Sequence, residues 1–290
     1  MHSFKMLLKG IVIGIANAIP GVSGGTMMVS MGIYDKLIHA ITHLFSEFKK
    51  SLKLLIPIFI GAAIGVVGLS FIITAMFEAI PIQTNLLFIG LIVGGLPIIT
   101  NKVKGQKMGI GSILGFLLFF VLVVGLAAIG ETEGATADVS FSLVNGIKLF
   151  FVGIVAAATM VIPGVSGSMM LMILGYYDTI LESIKNFIEA LITFNMDGIL
   201  TGVGILIPFG LGAVFGIFAI AKLVEIVFEK FPLVAYWSII GLIVASPIGI
   251  VLMNLEAFKQ INVVSILTGI VTFAIGAFIA FKLGGDEEEA

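Results

Sequence analysis

From Ala18 the chain reads AIPGVSGGTMMVSMGIYD, and from Val161 it reads VIPGVSGSMMLMILGYYD. The phrases align without a gap at an offset of 143. Ten of the 21 positions from Ala18 to Ile38 recur, among them Pro20/Pro163, Ser23/Ser166, Gly24/Gly167, Gly32/Gly175, Tyr34/Tyr177 and Asp35/Asp178. Proline stops a helix and Gly-x-Ser-Gly permits a tight turn. Each phrase is embedded in apolar sequence. The chain therefore breaks its backbone twice where little water is at hand to satisfy the freed polar groups.

The surroundings of the breaks decide the class. Of 290 residues, 59% are hydrophobic and 11% charged, against about 25% charged in soluble domains. Several runs reach the roughly 20 apolar residues that cross a bilayer. The sequence is that of a polytopic membrane protein. Lys5 and Lys9 precede an apolar run, but no small-residue cleavage site closes it before Pro20, so no cleavable signal is expected. The absence of cysteine excludes disulfides and thiolate chemistry. All fifteen basic residues are lysine, so bidentate guanidinium recognition of phosphate is unavailable to the chain. A net charge of −2 without a large basic patch argues against a nucleic-acid partner. His39 and His43 lie four apart, a spacing that can hold a metal, but no H-E-x-x-H is present. A polar helix face is expected there, with no metal and no cofactor.

The duplication extends beyond the phrases. PIFIGAAIG from Pro57 to Gly65 parallels PFGLGAVFG from Pro208 to Gly216, Pro81 parallels Pro232, and GLIVGGLP ending at Pro97 parallels GLIVASP ending at Pro247. The expected domains are two repeats, 1–135 and 136–285, with a solvated acidic tail at 286–290. Each phrase reads as the tip of a re-entrant helical hairpin followed by an amphipathic interfacial helix. In the second half that hairpin covers about 143–176, and Ile180, Leu181, Ile184, Phe187, Ile188, Leu191 and Ile192 follow helical spacing after it. Three transmembrane helices complete each repeat, at about 54–77, 82–100 and 108–129, and at 200–223, 233–253 and 262–282. Three crossings is an odd number; five, if both hairpin arms cross, is odd as well. Either count inverts the second repeat. The fold class expected is an all-α polytopic membrane protein of two inverted-topology repeats.

With the amino terminus cytoplasmic, twelve lysines fall inside and only Lys148, Lys185 and Lys259 outside. Glu131, Glu133 and Asp138 make a lysine-free outer loop. Both termini are then expected in the cytoplasm.

Each break frees helix N-terminal amides beside a hydroxyl, and hydrocarbon offers them no partner. A bound anion satisfies several at once, aided by the helix dipole. The candidate phosphate-binding residues are Ser23, Gly24, Gly25 and Thr26 in one repeat and Ser166, Gly167 and Ser168 in the other. The competing reading is packing: Gly21 to Gly25 is a G-x-x-x-G, and Ser23 can cap its helix. Gly61/Gly65 and Gly212/Gly216 are read as packing. Asp35 and Asp178 end the short arms, either capping the next helix at the interface or coupling to a proton or cation. Tyr34, Tyr176 and Tyr177 are interface anchors or headgroup donors. Asn17 and Thr159 stand just before the prolines at matching positions, facing the tip or a neighbouring helix.

Pro-Gly-Val-Ser-Gly-Gly-Thr at 20–26 and Pro-Gly-Val-Ser-Gly-Ser at 163–168, each followed by Gly-x-Tyr-Asp, resemble the DUF368 family of polyprenyl-phosphate transporters. The resemblance covers nearly the whole chain. It implies an undecaprenyl-phosphate translocase in the bacterial cytoplasmic membrane, returning the lipid carrier from the outer to the cytoplasmic leaflet for cell-wall assembly. Two rivals stand beside it. Integral-membrane undecaprenyl-pyrophosphate phosphatases share a Pro-Gly-x-Ser phrase, but theirs continues with arginine where this chain has Gly24 and Gly167. Glu225 and Glu229 form a Glu-x-x-x-Glu as in those enzymes, yet read here as boundary charges. Without arginine, a phosphoryl-transfer state is hard to stabilise. The other rival is a small-anion secondary carrier using the same cradle.

Overall fold

The computed structural model describes residues 2–18, 22–129, 137–259 and 261–284. Among them every regular element is helical. The first half contains α1 (His2–Ala18), α2 (Gly24–Ser30), α3 (Tyr34–Thr42), α4 (Phe48–Ile64), α5 (Ser70–Ala79), α6 (Pro81–Val103) and α7 (Ile110–Ile129). A π-helical segment, Gly65–Leu69, joins α4 to α5. The second half contains α8 (Leu143–Val161), α9 (Gly167–Ile173), α10 (Tyr177–Ile192), α11 (Met196–Lys230), α12 (Pro232–Met253), α13 (Leu255–Lys259) and α14 (Val263–Gly284). Pro20, Gly21, Glu131, Glu133 and the acidic tail lie outside the described residues.

Among the described residues seven helical stretches are long and apolar enough to cross a membrane: Phe48–Gly68, α6, α7, α8, α11, α12 and α14. The chain is an all-helical, multi-pass membrane protein. Five of the six expected spans fall on these stretches, and the span expected at 54–77 overlaps Phe48–Gly68 and runs on into α5. α8, read in the sequence as a hairpin arm, is a seventh. α2 and α9 have seven residues each, about 10 Å of helix at 1.5 Å per residue, one third of the roughly 30 Å hydrocarbon core.

Local chemistry explains where the helices start and stop. Pro81 and Pro232 sit at the starts of α6 and α12, where the missing N–H costs nothing. α2 and α9 end in the same turn. Gly32 and Gly175 take positive φ, 69° and 74°. Gly32 N donates to Val29 O at 2.9 Å and Ile33 N to Met28 O at 3.0 Å; Gly175 N donates to Met172 O and Tyr176 N to Leu171 O, both at 2.9 Å. This paired pattern is the Schellman cap, whose left-handed residue favours glycine.

The chain forms two compact units. The first comprises residues 1–129, 162–165 and 221–290; the second comprises 130–161 and 166–220. In the first unit α1 lies on α4 through backbone-to-backbone contact. A Cβ at Gly10 would fall 2.3 Å from Ile58 O, one at Gly61 2.1 Å from Leu7 O, and one at Gly65 2.3 Å from Ile11 O. In the second unit α8 lies on α11 in the same register: Gly153 against Phe209 O at 2.1 Å, Gly212 against Phe150 O at 1.9 Å, Gly216 against Ile154 O at 2.6 Å. Small residues are what let membrane helices approach this closely. Gly61, Gly65, Gly212 and Gly216 thus serve packing, as their spacing predicts.

The remaining spans of the first unit pair across the two halves of the sequence. α6 packs on α14, with a Cβ at Gly90 falling 2.1 Å from Phe273 O, and α12 packs on α7, with one at Gly241 falling 2.4 Å from Phe116 O. The second unit has a small core of Leu149, Ile180 and Ile205, flanked by Val139, Tyr176 and Phe209.

Candidate functional site

Ser23 and Ser166 occupy the N-cap positions of α2 and α9 with matching backbones, φ −95° and ψ 125° against φ −93° and ψ 129°. Neither side chain makes the capping hydrogen bond. The first intrahelical bonds follow four residues on, Met27 N to Ser23 O at 3.2 Å and Met170 N to Ser166 O at 3.0 Å. Ser23, Gly24, Gly25 and Thr26 are all buried. Among the described residues Ser23 Oγ has no hydrogen-bond partner. An unpaired buried hydroxyl costs on the order of 1–3 kcal/mol.

The two breaks meet inside the first unit. Gly164, at φ 81°, donates its N–H to Thr26 Oγ1 at 2.7 Å. A Cβ at Gly25 would lie 3.0 Å from Pro163 Cα, so glycine at 25 is what lets the second phrase close on the first. Asn17 lays its amide over Gly24, where a Cβ would fall 2.4 Å from Oδ1. The first break is closed by protein on these sides.

In the second unit, Ser166 and Ser168 hydrogen-bond to each other at 2.8 Å. Met160 covers Gly167, with Cγ 2.5 Å from where a Cβ would stand. Met160 thus does to Gly167 what Asn17 does to Gly24, and it is Met160, not Thr159, that matches Asn17. The constant offset of 143 already pairs them. Thr159 turns its hydroxyl back onto its own helix, donating to Ala156 O at 2.8 Å.

Beyond the break, the first short arm is pinned at its far end. Lys9 is 1% exposed and donates to Met31 O at 2.9 Å. Met31 is the C-cap residue of α2, where a cation complements the helix dipole. A Cβ at Gly95 of α6 would fall 2.2 Å from Ser30 Cα on the same arm.

Asp35 and Asp178 are not cap residues. The N-caps of α3 and α10 are Ile33 and Tyr176, and the aspartates lie in the first turn, because the Schellman turns use up the preceding residues. Asp35 accepts a hydrogen bond from Tyr236 Oη at 3.2 Å. It lines a cavity of about 110 Å³ with Tyr34, Lys36 and Lys102. Solvent reaches Asp35, yet the apolar atoms around it push the carboxyl above the usual carboxylate range, against the lowering effects of the Tyr236 bond and the Lys102 charge. Tyr34 is 3% exposed and stands 6.3 Å from the Phe228 ring. It is an interior residue and not an interface anchor. Asp178 is exposed, and Tyr176 and Tyr177 are half-buried.

Residues 13–254 match the family model described as undecaprenyl phosphate translocase-like. A polyprenyl-phosphate transporter from Staphylococcus aureus (strain NCTC 8325 / PS 47) is 31% identical over 98% of both chains. The chain belongs to the undecaprenyl phosphate translocase-like family. A polyprenyl-phosphate transporter from Vibrio cholerae serotype O1 is 25% identical over 85% of this chain and 77% of its own. No solved structure matches. The family match spans both breaks and ends before α14.

Two features of this family member escaped the sequence. Lys9 reads in the sequence as one of the cytoplasmic-side lysines ahead of an apolar run, yet it is buried against the end of α2. Glu225 reads as a boundary charge, yet its side chain is 8% exposed. It accepts hydrogen bonds from Thr42 Oγ1 at 2.8 Å and Lys222 Nζ at 2.6 Å. No local pattern marks a residue that becomes buried against a helix 183 positions away.

Proposed function

We propose that this chain is a non-catalytic translocase that returns undecaprenyl phosphate from the outer to the cytoplasmic leaflet of the bacterial cytoplasmic membrane, for reuse in cell-wall assembly. The family match and the relatives named polyprenyl-phosphate transporters support the substrate. One observation carries the residue-level reading: Ser23 Oγ is buried at a helix break inside a membrane protein, without a partner among the described residues. A phosphate oxygen is the acceptor this hydroxyl lacks, and the N-terminal amides of α2 lie beside it. Ser23, Gly24, Gly25 and Thr26 form the proposed headgroup site of the first unit. Ser166, Gly167 and Ser168 are proposed as the corresponding donors of the other break. The first break is closed here, so lipid entry requires Asn17 or the 162–165 segment to move aside.

We read the two halves as inverted repeats with re-entrant arms at α1–α2 and α8–α9. The shared Schellman turns, the shared glycine registers and the shortness of α2 and α9 support this reading. The lysine distribution supports cytoplasmic termini. Asp35, facing Tyr236 and Lys102, is the proposed coupling residue for a proton or sodium ion.

The test is a leaflet-resolved assay of undecaprenyl phosphate in vesicles containing only this protein. Ser23→Ala combined with Ser166→Ala is expected to slow lipid movement while insertion is unchanged. Unaltered movement in the double variant removes the cradle, and no movement by the wild-type protein removes the translocase.

A further inference from the structure

Away from the breaks, the first unit assembles three metal-ligating side chains from two helices. His39 on α3 and His43, the C-cap residue of α3, lie one turn apart, with ring centroids 4.1 Å apart. Glu225 reaches them from α11. Its Oε1 stands 3.7 Å from His39 Nδ1 and 3.1 Å from His43 Nδ1, and one ligand atom from each residue falls within 4.8 Å of the others.

The two His–Glu spacings are close to those of a coordination shell. Ligands about 2.0–2.1 Å from a tetrahedral zinc ion lie roughly 3.3 Å from one another, between the two observed His–Glu distances. The His-x-x-x-His spacing is itself a zinc-ligand spacing. Two imidazoles and one carboxylate suit Zn²⁺ and its first-row neighbours better than Mg²⁺ or Ca²⁺, which favour all-oxygen shells. Three protein ligands leave a fourth position open.

The surrounding residues organise the ligands. Lys222 Nζ holds Glu225 Oε2 at 2.6 Å, which leaves Oε1 turned to the imidazoles. Thr42 Oγ1 donates to that same Oε1 at 2.8 Å and lies 3.0 Å from His43 Nδ1. Glu47 Oε2 stands 3.8 Å from His39 Nε2, on the side of the ring away from Glu225. A carboxylate behind a ligating histidine fixes its ring and raises its basicity. His39 and Glu47 also line a groove of about 540 Å³ with Asp35, Lys36, Lys50 and Lys53.

We infer that His39, His43 and Glu225 form a binding site for one divalent cation of the zinc class, which ties α3 to the carboxyl-terminal end of α11. Nothing in this inference depends on the transported lipid. The probe is Zn²⁺ itself, titrated calorimetrically into chelator-stripped, tag-free, full-length protein, with Co²⁺ absorption as a second reading of geometry. One Zn²⁺ per chain is expected, with a melting temperature raised by several degrees. His43→Ala and Glu225→Gln should each weaken binding at least tenfold, and Glu47→Gln should weaken it by a smaller factor. His2→Ala, in the only other histidine, should change nothing. The site is overturned by less than one ion per chain, by unchanged affinity in Glu225→Gln, by loss of binding in His2→Ala, or by an octahedral, water-like Co²⁺ spectrum in the wild type. That last reading needs no variant to fold.

Discussion

The two helix breaks share a backbone and differ in what their side chains do with it. Their N-cap dihedrals agree within a few degrees, and both short arms end in the same glycine turn. Around the first break the groups are polar: Ser23 Oγ without a partner among the described residues, the Asn17 amide over Gly24, and Lys9 donating to Met31 O at the far end of the arm. Around the second they are self-satisfied or apolar: Ser166 bonded to Ser168, Met160 over Gly167, and buried Val152 at the position equivalent to Lys9. The two phrases form equivalent frames, and among the described residues only the first keeps a buried hydroxyl without a hydrogen-bond partner. Frame and chemistry are separable, because the frame comes from glycine, proline and close helix approach, and the chemistry from a few substitutions on it.

The largest expected effect tests the equality of the frames. Gly61→Val and Gly212→Val each drive a side chain into a facing carbonyl, at Leu7 and Phe150. Each should destabilise the protein by about 3 kcal/mol, the upper range for overpacking, in denaturant titrations of micelle-embedded protein. A large loss in one and tolerance in the other would mean that the two frames are not mechanically equivalent.

The next effect should differ in sign between the breaks. Ser166→Ala removes a hydroxyl pair and should cost about 1 kcal/mol, whereas Ser23→Ala removes an unpaired buried hydroxyl and should be neutral or stabilising by about 1 kcal/mol. Thermal melts of the single variants decide this. Equal losses would show that Ser23 has a partner after all and that the asymmetry is not one of hydrogen bonding.

The smallest effect concerns the aspartates. The Asp35 carboxyl is held above its ordinary value of 3.8, by desolvation first. The native state therefore binds its proton more readily than the unfolded chain. That contribution to stability is complete below pH 3.8 and is lost as the pH rises through the raised native value. Asp35→Asn should flatten this part of the stability profile. Tyr236→Phe, which removes a lowering hydrogen bond, should extend it to higher pH. An unchanged slope in both variants would make Asp35 an ordinary surface carboxylate.

Much of the frame was legible in the residues because its causes are local. Apolar run lengths located the spans, and proline at 81 and 232 marked helix starts. The gapless offset paired Gly24 with Gly167 and Gly32 with Gly175, but that the latter two close the short helices was seen only in the structure. The same offset pairs Asn17 with Met160, although polarity made Thr159 look like the match. The aspartates were misplaced by a turn because a six-residue cap motif, and not the carboxylate, ends each short arm.

The amino-acid sequence alone determined that this is a helical membrane protein with two repeated interruptions, since hydropathy and backbone chemistry act over a few residues. Only the tertiary structure decided which polar groups find partners. Satisfaction of Thr26 by Gly164, burial of Lys9 against Met31, and the meeting of Glu225 with His39 and His43 each depend on chain segments distant in sequence. A hydrogen bond or a ligand shell is set by distances of about 3 Å, and no pattern along one segment specifies which other segment will supply the second atom.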